Sequence, residues 1–221
     1  MKLGTLGCSH SSDILGDSWP VFLAEKLNYE LCQYHSSGAG NEGITVEKLV
    51  HMLENDAPDL IVISLTEISR LVMSVGNSLN PNPRETFNNE TYYTFNLYNN
   101  VGYLKKHCIE WKNDPEIFRM MITDYNSELK IFHTISIFEN LSKIYNTPIY
   151  YFSWFNDIDN LLLKHHQWKR SFPNEKFIFS NAQEYMHINF NQHTAECGHF
   201  YPKAHKELAE KLYENLIKVM S

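Results

Sequence analysis

The stretch Leu60-Ile61-Val62-Ile63-Ser64-Leu65 decides the fold class. It is apolar almost throughout, with Ser64 its only polar member, and it shows no alternation of apolar and polar residues. A strand that keeps one face in water alternates; a run without alternation is covered on both faces, as in the middle of a parallel sheet. Such a strand needs helices above and below it, and the flanking sequence supplies them. Immediately upstream, Pro58-Asp59 punctuates the chain, and residues 43–54 carry Ile44, Leu49, Val50 and Leu53 at the spacing of one helical face. Further back, residues 29–35 read as a second strand. Before it, Asp17-Ser18-Trp19-Pro20 reads as a helix start, with Asp17 or Ser18 as cap and Pro20 in the first turn. Val21, Phe22, Leu23, Ala24 and Leu27 give that helix its buried side, and residues 2–8 are the first strand.

Downstream the regularity lapses. Residues 75–100 contain eight Asn and two Pro among several aromatics, a composition of turns and loop rather than of core. A helical pattern returns over about 114–145 (Ile117, Met120, Leu129, Phe132, Ile135, Phe138, Leu141), followed by a strand at 148–154 and a short one at 177–179. The last helix runs over about 202–220, with Ala204, Leu208, Leu212, Leu216 and Val219 on one side. Alternating strands and helices predict an α/β protein of three layers, α/β/α, flavodoxin-like, with about five parallel strands. The length of 221 residues suits one domain over 1–221, with an insertion or lid at about 75–125.

Bulk properties exclude some functions. The net charge is −7 and there is no long basic run, so a phosphate backbone meets repulsion and nucleic acid is not an expected partner. No apolar run reaches the length of a membrane span, and no membrane partner is expected. The opening MKLGTLGCSH has no apolar segment followed by a small-residue cleavage site, and Cys8, Cys32, Cys108 and Cys197 are few and irregularly spaced. Both features predict a cytoplasmic protein with reduced thiols.

In sheets of this kind ligands bind beyond the carboxyl ends of the strands. Three groups of polar residues stand there: Cys8, Ser9 and His10 after the first strand, Gly38 to Asn41 after the second, and Thr66, Glu67 and Arg70 after the third. Glu196-Cys197-Gly198-His199 comes just before the final helix. Gly7-Cys8-Ser9 with the following Ser18-Trp19-Pro20, then Gly38-Ala39-Gly40-Asn41, then Glu196-Cys197-Gly198-His199 with Tyr201-Pro202-Lys203-Ala204-His205, occur in the order of the conserved blocks of the SGNH (GDSL-like) hydrolases. The chain resembles that family, in a Gly-Cys-Ser variant, over most of its length outside 75–125. The resemblance implies a serine esterase acting on a small acyl ester or an acetyl group on a carbohydrate, without a cofactor. Ser9 is the implied nucleophile, His199 its base and Glu196 the acid that orients His199. The N–H groups of Ser9 and Gly38 are the implied oxyanion donors. Two departures stand out: the acid is Glu196 where the family usually has Asp, and the third block lacks its usual Asn, leaving Asn41 or Thr66 as the remaining donor.

The chemistry of the residues agrees with that assignment. A serine hydroxyl needs a base to take its proton, the base needs a partner that holds its tautomer, and an oxyanion needs preorganised donors. Other readings remain open. Ser9 also suits an ordinary turn, Asn41 a helix cap, Arg70 an ion pair with Glu67, His205 structural support and Trp19 the core. Cys8, His10, Cys197 and His199 together form a candidate zinc set, although one residue between ligands is narrower than usual zinc spacing. A carbohydrate-binding or structural protein on the same fold is the third reading, supported by the altered third block and the Asn- and aromatic-rich insertion.

Overall fold

The computed structural model describes residues 1–35, 41, 44–66, 70–74, 85–87, 90–96, 124–155, 160–161, 172–196 and 198–221. Leu60–Leu65 is a strand buried at every position, as its unbroken apolar run requires. We number it β3, after β1 (Lys2–Gly7) and β2 (Glu30–His35); β4 (Arg70–Ser74), β5 (Glu85–Phe87), β6 (Glu90–Asn96), β7 (Ile149–Ser153) and β8 (Phe177–Phe179) follow. The helices are α1 (Trp19–Leu27), α2 (Ile44–Asn55), α3 (Asp124–Tyr145), α4 (Ala182–Phe190) and α5 (Pro202–Met220).

Five strands form one sheet in the order β2-β1-β3-β7-β8, and every neighbouring pair is parallel. This is the flavodoxin-like order, so the fold is the three-layer α/β/α arrangement expected from the strand and helix alternation. Strand period two divides β3 between two cores. Leu60 and Val62 join Leu3 and Phe152 on one face, packed under Trp19 and Leu23 of α1, Ala182 and Met186 of α4, and Ala204, Leu208, Leu212 and Leu216 of α5. Ile61, Ile63 and Leu65 join Leu6 and Tyr151 on the other, under Leu49, Met52 and Leu53 of α2 and Ile131, Phe132, Ile135 and Phe138 of α3. Burial stabilises by about 1.5–3 kcal/mol for each large aliphatic side chain removed from water, and all five apolar side chains of β3 are buried.

Three sequence expectations change. Residues 75–100 do not read through as loop: β4, β5 and β6 make an antiparallel three-stranded sheet in the order β4-β6-β5. Apart from Asn96, the Asn and Pro residues of that stretch lie outside the described residues, whereas Glu90–Asn96 is rich in Thr and aromatics that favour extended backbone. Helix α4 was not foreseen. Ser18 occupies the N-cap of α1 but makes no side-chain cap; its one hydroxyl proton is shared instead between Ser11 O at 3.0 Å and Asp13 Oδ1 at 2.8 Å. Residues 114–123 of the expected long helix, and residues 97–123 of the expected insertion or lid, lie outside the described residues. Among the described residues, no helix is long and apolar enough to cross a membrane.

Candidate active site

The order β2-β1-β3 has a specific consequence. The chain leaves β1 for β2 on one side and returns to β3 on the other, which opens a crevice beyond the carboxyl ends of β1 and β3. Ser9 follows β1 and Thr66 follows β3, so both stand at that switch point.

Ser9 to Ser11 form a single 3-10 turn, closed by Ser11 N–H donating to Cys8 O at 2.9 Å; the Ser12 hydroxyl donates to Ser9 O at 2.6 Å. The turn folds back over Gly7: a Cβ added there would lie 2.2 Å from Ser11 Oγ and 3.1 Å from Ser64 Cβ. Glycine at this position is therefore a matter of close approach. Ser11 is fully buried and accepts the Trp19 indole N–H at 3.0 Å, which ties the turn to the first residue of α1. Residues 7 to 19 thus behave as one braced unit that presents Ser9 and His10.

On the other side of the crevice, the Asn41 side chain holds the backbone of Thr66 at both polar groups. Asn41 Nδ2 donates to Thr66 O at 2.9 Å, and Thr66 N–H donates to Asn41 Oδ1 at 2.7 Å. Asn41 is neither a simple helix cap nor wholly available to a ligand; one amide N–H remains beyond this clamp. The Thr66 hydroxyl is buried and without a hydrogen-bond partner. Gly38, Gly40, Glu67 and Cys197, along with the side chain of Arg70, lie outside the described residues.

The segment before α5 is a tight loop. Thr194 and Phe200 bridge antiparallel, Tyr201 N–H donates to His193 O at 2.7 Å, Ala195 N–H to His199 O at 2.8 Å, and Gly198 N–H to Ala195 O at 2.9 Å. Gly198 has φ +82°, which suits glycine, and open space surrounds the position of a Cβ. The loop carries His199 to the end of β1: its ring lies 4.8 Å from that of His10, tilted 33°. His10 in turn stacks on Trp154 at 4.5 Å and 18°. Trp154 is completely buried just after β7 and is anchored by its backbone N–H, which donates to Leu65 O at 2.8 Å.

Ser9, Thr66, Asn41, Trp154 and His199 are therefore assembled at one edge. The hydrogen bonds expected among Ser9, His199 and Glu196 are not formed there. Both ring nitrogens of His199 are buried without a hydrogen-bond partner, so neither reaches Ser9 or Glu196, and Glu196 is exposed. Other buried polar atoms at this edge also lack partners: Ser64 Oγ, Trp154 Nε1, His193 Nε2, Thr194 Oγ1 and His205 Nδ1. Buried polar groups are paired as a rule, and a concentration of exceptions marks a place for ligand or water. Burial, then the neighbouring His199, push His205 down to about 4, and burial pushes His35 down to about 4. Both rings are neutral at pH 7. Asp13 raises each of them slightly and accepts from Ser18 and, at 3.1 Å, from Gln33 Nε2. Among the described residues no three His, Cys, Asp or Glu side chains converge as a metal cluster. Cys8 is buried to 1% exposure, and the zinc set would need Cys197 as well.

Sequence reasoning did not single out Trp154 or Asp13, and weighed His10 only as a metal ligand. Trp154 stands directly after a strand, at the edge where ligands bind, and that position was the available signal.

No protein-family model matches the chain. No curated protein matches it either. Among solved structures it is similar to a "putative lipolytic protein of G-D-S-L family" from Desulfitobacterium hafniense DCB-2, with 13% identity, 97% of this chain and 98% of that chain covered, and a TM-score of 0.47.

Proposed function

We propose that the protein is a serine ester hydrolase acting on a small acyl ester or a carbohydrate acetyl ester. The observation that carries this reading is His199, an imidazole with both nitrogens buried and unbonded beside the turn that bears Ser9. A buried imidazole without partners is costly to a fold, and the cost is offset where the ring accepts and returns a proton.

Ser9 Oγ attacks the ester carbonyl carbon while His199 takes the hydroxyl proton. The tetrahedral oxyanion is held by the N–H groups of Ser9 and Gly38 and by a third donor. Of the two candidates we favour the Thr66 hydroxyl, which is unbonded, whereas the Asn41 amide already clamps the Thr66 backbone. Collapse breaks the bond to the alcohol oxygen, which receives the proton from His199. Water, deprotonated by His199, then attacks the acyl-Ser9 carbonyl, and the acid is released with Ser9 restored. Glu196 orients His199 once its carboxylate swings in from the turn Ala195–Gly198; catalytic hydrogen bonds often close only with substrate bound.

A non-catalytic carbohydrate-binding role on the same fold is the second reading, favoured by the lack of any bond between Glu196 and His199. Short p-nitrophenyl esters and a fluorophosphonate probe separate the two. Turnover and labelling in the wild type, both lost in Ser9→Ala, are expected. Labelling that is equal in the two proteins removes Ser9 as nucleophile, and a wild type that neither turns over nor labels favours the binding protein.

A further inference from the structure

Histidine χ2 is a broad torsion, so an imidazole keeps one plane only when a hydrogen bond or its packing holds it. In a serine triad the carboxylate bond to the imidazole performs that task. Here neither nitrogen of His199 is bonded, although both are shut off from solvent in a half-buried side chain. What touches it is another ring. Trp154, His10 and His199 form a run of three with His10 in the middle, at 4.5 Å and 18° on the Trp154 side and 4.8 Å and 33° on the His199 side. The far end of the run is held by packing and by backbone hydrogen bonds. Trp154 is wholly buried, its backbone N–H donates to Leu65 O, its carbonyl accepts Gln183 N–H at 2.9 Å, and its indole meets the Phe200 ring at 6.4 Å and 63°. Phe200 is the neighbour of His199 in the chain, so Trp154 contacts both the support of His199 and the loop that bears it.

We propose that His10 is a positioning residue for His199, and that its ring face sets the plane of the base before any carboxylate bond forms. The role rests on the Ser9–His199 reading. His10 does not exchange a proton with substrate; it contributes a flat, polarisable surface backed by Trp154. The position directly after the nucleophile suits this task, since the same 3-10 turn then fixes Ser9 and the plane of its base together.

The test compares wild type, Ser9→Ala, His10→Phe and His10→Leu by fluorophosphonate labelling rate and by steady-state hydrolysis of p-nitrophenyl acetate. Leucine fills the space without a π face, so its kcat is expected to fall by about 10- to 100-fold, the scale of a misaligned catalytic group, with KM changed by less than about threefold. Phenylalanine restores kcat to within about threefold of wild type, because the stack survives. The ring-current shift of the His199 carbon-bound protons, read by NMR, is retained in His10→Phe and lost in His10→Leu. Wild-type kcat in His10→Leu overturns the proposal. So does a His10→Phe enzyme as slow as His10→Leu, which would assign the effect to a ring nitrogen, and so does a loss confined to KM. A wild type that labels no more than Ser9→Ala removes the Ser9–His199 reading itself. That result is read before any His10 variant is measured, and the positioning role falls with it.

Discussion

Gly7→Ala probes the brace beneath Ser9 most directly. The new methyl would lie 2.2 Å from Ser11 Oγ, 3.0 Å from Ser11 Cβ and 3.1 Å from Ser64 Cβ. Ser11 cannot slide away as a unit, because its N–H bonds Cys8 O at 2.9 Å and its carbonyl accepts the Ser18 hydroxyl at 3.0 Å. Overpacking of this kind costs about 1–3 kcal/mol. If Ser11 relieves the contact by rotating, its Oγ leaves the Trp19 indole N–H, whose side chain is completely buried; an unpaired buried donor costs about 1–3 kcal/mol. The two effects overlap, and about 3 kcal/mol is the expected loss, a large part of the ~5–15 kcal/mol available to a domain. Urea denaturation reads it as a lower midpoint at unchanged slope. The mechanism has a sharper signature in a double-mutant cycle with Ser11→Ala. That single change strands the same indole N–H, and in the double variant the contact with Oγ no longer exists. The double variant is therefore expected to lose less than the sum of the singles, by at least about 1 kcal/mol. A Gly7→Ala variant within about 0.5 kcal/mol of wild type, or strict additivity with Ser11→Ala, would show that Ser11 does not close the space above Gly7.

Further outcomes follow from the same structure. Asn41→Ala removes both bonds to the Thr66 backbone and is expected to cost about 2 kcal/mol and to lower kcat more than it raises KM; an unchanged melting curve and unchanged kinetics would count against the clamp. His35 and His205 both titrate near 4 in the folded protein against about 6.5 when unfolded, so the unfolded state binds more protons between those values. Stability is thus complete above about pH 6.5 and falls as pH drops toward 4, and His205→Gln should flatten part of that slope; urea midpoints at pH 5 and 7 that coincide in the wild type would contradict it. Burial, then the Asp56 carboxylate, push the Cys32 thiol up to about 12. Iodoacetamide at pH 8 should leave the Cys32 peptide unmodified in the native protein and modify it in urea, as peptide mapping by mass spectrometry would read; rapid native labelling would show the thiol to be accessible as thiolate.

The sheet was legible because its strands are governed by local and strong rules. Leu60–Leu65 and Phe177–Phe179 coincide with their expected bounds, β1 and β2 differ by one residue at one end, and β7 by one residue at each end. The second sheet was misread because Asn and Pro dominated the composition of 75–100, although Thr91, Tyr92, Tyr93, Thr94 and Phe95 together carry a strand signal. Helix α4 had a signal too, since Asn181 precedes Glu184 by three residues, and their side chains bond to each other. At the candidate site, sequence order alone pointed to Ser9 and His199, and their elements do meet at one edge. The role of Asn41 was not legible, because its partner is the backbone of Thr66, 25 residues away. Nor was the run from Trp154 to His199, which joins three segments far apart in the chain. Such contacts depend on the sheet order, and no local pattern encodes them.

The unpaired buried atoms have an evolutionary consequence. At the amino edge of the same sheet, Lys2 N–H bonds Asp59, Lys2 Nζ bonds Asp56 O, and Ser142 bonds Thr147 O, so polar groups there are compensated. At the carboxyl edge Ser64, Thr66, Trp154, Thr194 and His199 are not. Ser64→Ala, Thr66→Val and Thr194→Val are then candidates for raising thermal stability, since they exchange an unsatisfied hydroxyl for a group content to be buried. A lineage selected for robustness alone would accumulate such changes, and one selected for chemistry would resist them. A library screened only for heat resistance should therefore trace the outline of the working edge in the substitutions it enriches.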